Sequence, residues 1–134
     1  MPDNPDSPFQ YAVLRVVPDI ERGEFLNAGV VLFARTRGFL AARVALDQER
    51  LSALSPSLDA GPVADRLATL ERVAAGDPDA GPIARLDPSE RFNWLVAPAS
   101  TVVQPSPVHT GLCDDPEGML EHLFARLVGQ GNGS

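Results

Sequence analysis

Lysine is missing altogether: all eleven basic residues of the 134-residue chain are arginine. Without a lysine amine, neither a P-loop phosphate site nor Schiff-base and pyridoxal chemistry can operate, because each depends on that nitrogen. The gap sits beside abundant Ala, Arg, Gly and Pro, a usage that GC-rich coding produces without any functional pressure. Cys113 is the one cysteine, so no internal disulfide can form and a reducing compartment is the simpler assumption. Long apolar runs are missing as well. The longest, residues 28–34, falls far below the roughly 18 residues that suggest a membrane span. The opening MPDNPDSP has neither a basic start nor an apolar stretch, so it does not read as a secretory signal. A cytoplasmic protein with no membrane association is the expectation.

Apolar residues make up 44% of the chain and charged residues 22%, ordinary usage for a folded domain and far from a disordered profile. The length is that of one domain with a core of its own. A net charge of -7 disfavours nonspecific attraction to nucleic acid or an anionic membrane.

Residues 1–8 and 129–134 read as loose tails around a single folded unit of residues 9–128. Residues 11–17 and 25–33 are rich in Val, Phe and Tyr and are separated by Pro18, Asp19 and Gly23, which predicts two antiparallel strands. A third run, residues 39–46, follows a tight link ending at Gly38. The period then changes. Val63, Leu67, Leu70 and Ala74 fall at helical spacing with Gly76 as a stop, and a shorter helix over 48–54 follows Asp47. Asp87-Pro88-Ser89-Glu90 places an N-cap, a proline at the first helical position and an acid three residues on, predicting a helix through Trp94. Residues 101–104 form a brief strand. Asp115-Pro116 opens a last, amphipathic helix whose Leu120, Leu123, Phe124 and Leu127 make a core stripe with Leu123 buried. The fold class expected is α+β: an antiparallel β-meander of three to four strands packed with about four helices.

Two segments, PDIERGEFLNAGVVLF at 18–33 and QPSPVHTGLCDDPE at 104–117, resemble the bacterial family known as domain of unknown function 3037. The likeness extends over most of residues 11–128, and Arg22, Gly23, Glu24, Phe25, Asn27 and Gly29 in their spacing are its specific part. It brings no substrate, cofactor or catalytic residue with it. It implies a regulatory partner role, with a HipA-like kinase system as the partner.

Alternation puts Tyr11, Val13, Arg15 and Val17 on one face of the first strand. On the second, Phe25, Asn27, Gly29, Val31 and Phe33 share a face. If Val17 pairs with Phe25, Arg15 lies opposite Asn27 and Val13 opposite Gly29. A buried arginine needs an acceptor, for which Glu21, Glu24 or a ligand's anionic group are the candidates. The plainer alternative is that Arg15 satisfies loop carbonyls and Asn27 caps a bulge. The candidate ligand site is therefore Arg15, Glu24, Asn27 and His109.

His109, Thr110, Cys113, Asp114 and Asp115 form the densest polar segment. Structural zinc takes four ligands, and a second pair beside His109 and Cys113 is not there. Two aspartates would raise the Cys113 pKa and work against a nucleophile. Asp115 is better explained as a helix cap. Phe92 and Trp94 read as core and His122 as part of a solvated face. Arg35 and Arg37, with Arg22 and Arg43, make one small basic spot.

With no triad, carboxylate pair, metal quartet or nucleotide loop in the sequence, no catalytic residue, cofactor or metal is assigned. The function expected is a noncatalytic interaction or regulatory module working through its sheet edge or the loop before the last helix. The alternative is a small enzyme or anionic-ligand-binding domain in which Arg15, Asn27 and His109 converge. Whether the chain is an enzyme stays open.

Overall fold

The computed structural model describes residues 5–99 and 101–129; the outermost residues expected as loose tails lie outside them. Three strands come first: β1 (Ser7–Asp19), β2 (Glu24–Ala34) and β3 (Phe39–Val44). Short 3₁₀ turns link them and close at Gly23 and Gly38, whose φ values of 71° and 63° lie in the left-handed region that a side chain disfavours. Three helices follow, α1 (Gln48–Leu54), α2 (Ala60–Ala75) and α3 (Pro88–Leu95). The chain returns to the sheet as β4 (Val103–Pro105) and β5 (His109–Cys113), then ends in α4 (Pro116–Leu127). Asp47, Asp59, Asp87 and Asp115 each accept a backbone N–H at a helix start, satisfying donors that have no partner within the helix.

All strand pairs are antiparallel, in the order β3-β2-β1-β4, with β5 also paired to β1. The α+β class is as expected. The strand count exceeds the expectation by one, because the polar segment around His109 pairs with β1 instead of forming a loop. That pairing also moves the start of the folded unit from Phe9 back to Ser7, which lies opposite Cys113.

Both sheet faces are covered. Ala12, Leu14 and Val16 of β1 join Leu67, Leu70 and Val73 of α2 and Phe92 and Leu95 of α3 in the larger core. On the other face Phe9, Val30, Leu32 and Leu120 form a smaller core under α4. The alternation expected along β2 is broken midway. Leu14 pairs with Gly29 but Arg15 pairs with Asn27, so Ala28 is an extra residue bulged out of the ladder. Every side chain beyond the bulge changes face. Val31 and Phe33 therefore enter the larger core with Leu26 and Ala28, while Val30 and Leu32 face α4. Gly29 consequently sits opposite Leu14, not Val13.

The α4 stripe points at the sheet as expected, but Leu120 is its buried member at 3% exposure. Leu123 and Leu127 are half-buried against the smaller core, and Arg43 lies 4.9 Å above the Phe124 ring. One helix alone roofs this face, and of its apolar stripe only Leu120 is fully enclosed. Among the described residues no helix is long and apolar enough to cross a membrane.

Candidate functional site

The long β1 strand is flanked on one side by β2 and on the other by β4 and β5 in succession. Pro105 and Pro107 interrupt this second side, since proline supplies no ladder N–H. Ser106 between them repairs the break: its backbone N–H donates to the Val13 carbonyl at 2.8 Å, and its Oγ accepts the Val13 N–H at 2.8 Å. The hydroxyl then donates to the Pro107 carbonyl. Ser106 is 4% exposed, so each of these groups would otherwise be buried without a partner.

Beyond Ser106, β5 pairs, among the described residues, with β1 alone. Its five residues include no Asp, Glu, Lys, Arg or Pro, and Leu112 stands 63% exposed, with Val108 just before the strand at 38%. Phe9 lies against Gly111, where a Cβ would come within 2.7 Å of the ring. The sheet edge and the loop before the last helix, proposed from sequence as two places of contact, are thus one strand.

Arg15 and Asn27 do face each other across β1 and β2, on the α4 side of the sheet. Asn27 donates its amide Nδ2 to the Leu127 carbonyl at 3.1 Å, so it closes the C-terminus of α4 and caps no bulge. Among the described residues Arg15 bonds no loop carbonyl. Its guanidinium lies 4.3 Å over the Phe25 ring, and among the same residues its buried Nε has no hydrogen-bond partner, nor has the buried Oδ1 of Asn27. Glu24 is bound to Arg22 at 3.1 Å. His109 pairs with Tyr11, their rings 5.1 Å apart. Arg15 lies four positions along β1 from Tyr11, roughly 13 Å, so Arg15 and Asn27 face each other while His109 stands apart from them and Glu24 is engaged by Arg22. Asn27 also borders a cleft of about 280 Å³ with Leu46, Asp47, Arg50 and Val128, which neither Arg15 nor His109 lines.

Cys113 is buried at 6% exposure. Burial is the main reason its thiol pKa lies above the ordinary value; Asp114 and Asp115 add little, and the Asp115 backbone N–H and Arg37 pull the other way. The sequence named the right direction but the wrong leading cause. Among the described residues no three His, Cys, Asp or Glu side chains are grouped so as to hold a metal ion. Of the four arginines of the supposed basic spot, only Arg35 and Arg37 share a turn. Arg37 donates to Ser7 Oγ and to the Asp114 and Pro5 carbonyls, Arg43 pairs with Glu121, and Arg22 lies at the far end of the hairpin. Phe92 is core at 3% exposure, whereas Trp94 is half-buried under Arg66, 5.5 Å away.

An antiparallel sheet roofed on both faces, with an open strand at one edge and, on its α4 side, an arginine unpaired among the described residues, defines a small two-faced α+β domain. The chain belongs to the family of proteins of unknown function 3037 (DUF3037), whose model matches residues 11–128. No curated protein and no solved structure matches it.

Proposed function

We propose that this domain is a noncatalytic interaction or regulatory module that receives a partner along β5. The observation that carries this is the open edge itself: five residues that, among the described ones, pair with β1 alone and include no Asp, Glu, Lys or Arg, with Leu112 exposed. Exposed edge strands invite pairing with another chain, and folded proteins ordinarily block them with charge, proline or a bulge. Here the prolines stop at Pro107, before the strand begins. An extended partner segment laid on this edge would gain main-chain hydrogen bonds along its length, with Leu112 and Val108 selecting its side chains. The family likeness suggests a HipA-like kinase system as the source of the partner.

The test compares the wild-type chain with Leu112→Asp as bait for co-purification and mass spectrometry. Leu112 is exposed, so the variant should keep its urea midpoint. A protein retained stoichiometrically by the wild type and lost from the folded variant is the expected result. A partner held equally by both, or a retained small molecule in its place, would refute the edge as the contact.

A further inference from the structure

We infer that Arg15 is a preset anchor for a carboxylate on a protein partner, on a surface separate from the β5 edge. Among the described residues Arg22, Arg43 and Arg72 have carboxylates of their own, and Arg37 is held by three oxygens. Arg15 has none of these. It occupies the middle of the sheet, between Asn27 of β2 and Gln104 of β4, where its buried Nε is costly to hold without an acceptor. The side chain is nevertheless well positioned. The guanidinium lies over the Phe25 ring, and the Asn27 amide across from it is fixed by the Leu127 carbonyl. Gln104, on the other side, is tied to the Thr101 carbonyl.

The direction of approach follows from which atoms are closed. Nε is buried without a partner, and among the described residues the two terminal nitrogens make no hydrogen bond. A ligand must therefore arrive at the terminal pair, whose parallel N–H groups match the two oxygens of a carboxylate. A dianion fits less well, because Asp19, Glu21 and Glu24 crowd the adjoining turn of a chain with net charge -7. The surroundings favour a carboxylate attached to something larger. Phe25 is 47% exposed, and Ile20 in the same turn is 63% exposed. Arginine beside exposed apolar and aromatic groups is the composition of an interface anchor, and a free small acid would leave those apolar surfaces uncovered.

The experiment titrates ¹⁵N-labelled protein with two capped dipeptides, acetyl-aspartyl-leucine amide and acetyl-asparaginyl-leucine amide, and with sodium acetate. The Arg15 Nε–H signal and the Phe25 ring protons are followed by NMR. The aspartyl peptide should shift both saturably, with affinity about tenfold above the asparaginyl peptide, the margin a charged hydrogen-bonded pair supplies. It should also exceed acetate. Arg15→Lys keeps the charge without the planar fork and should weaken the aspartyl peptide, as should Phe25→Ala, which alters an exposed residue and preserves the fold. Leu112→Asp should change none of this, so the two surfaces fail or stand separately. Equal affinity for both dipeptides would overturn the carboxylate, acetate binding as tightly as the dipeptide would overturn the protein partner, and no saturable shift with any probe would overturn the anchor.

Discussion

A methyl group added at Gly29 tests the bulge on which the face assignment of β2 depends. An ideal Cβ there would lie 2.9 Å from Val44 Cγ1, 3.0 Å from the Arg43 carbonyl oxygen and 3.2 Å from Leu14 Cδ1. Two of these neighbours are side-chain tips in the packed core and can turn. The third is backbone of β3, held in the ladder by the pairing of Val30 with Arg43, and has little room to retreat. Overpacking of this kind costs about 1–3 kcal/mol, so Gly29→Ala should lower the free energy of unfolding by that amount in urea titration, with an unchanged slope. Adding Val44→Ala removes the nearest contact but leaves the carbonyl. The double variant should therefore recover only part of the loss beyond what Val44→Ala causes alone, an interaction measurable by a double-mutant cycle. A Gly29→Ala cost under about 0.5 kcal/mol, the size of an ordinary surface change, would refute the close approach and with it the bulge at Ala28.

Truncating Leu120 to Ala should cost about 2–5 kcal/mol, and Leu123→Ala clearly less, since only Leu120 is fully enclosed; equal losses in urea titration would contradict the packing of α4. Ser106→Ala strips the Val13 N–H of its acceptor and should cost about 1–3 kcal/mol, with faster amide exchange at Val13 as the local sign. The Cys113 thiol should react slowly with a disulfide reagent in the native state and rapidly in urea, and comparable rates would mean that it is exposed. Its folded pKa is raised, so its share of stability is complete below the unfolded thiol pKa and is lost as pH rises through the folded one. Between pH 8 and 10 the wild-type urea midpoint should fall more than that of Cys113→Ala, and a parallel fall would remove the thiol from the cause.

The helices were legible because their signals are local. Asp47, Asp87 and Asp115 announce helix starts through chemistry confined to one turn, and all three cap as expected. The bulge was not legible, since residues 28–34 are apolar throughout and a strand buried on both faces has no polar alternation to reveal a change of phase. β5 escaped for the opposite reason. His109, Thr110 and Leu112 all face water, so the segment has no buried stripe, and only its pairing with β1, a hundred residues earlier, makes it a strand. Arg15 opposite Asn27 was readable because two polar residues intrude on apolar strands at matching distances from one turn. Nothing local could say that the Asn27 amide would close a helix ending at Leu127.

The pairing of Ser7 with Cys113 sets a timetable for the chain as it is made. During synthesis β1 meets β2 within a few residues, but its other side waits for segments that emerge near the end. At about 5–20 residues per second, the hundred or so residues between them take roughly 5–20 s. For that interval one flank of a thirteen-residue strand is an unsatisfied template in a crowded cell. A nascent chain stalled before β5 should accordingly be a better chaperone client and a more aggregation-prone species than the finished protein.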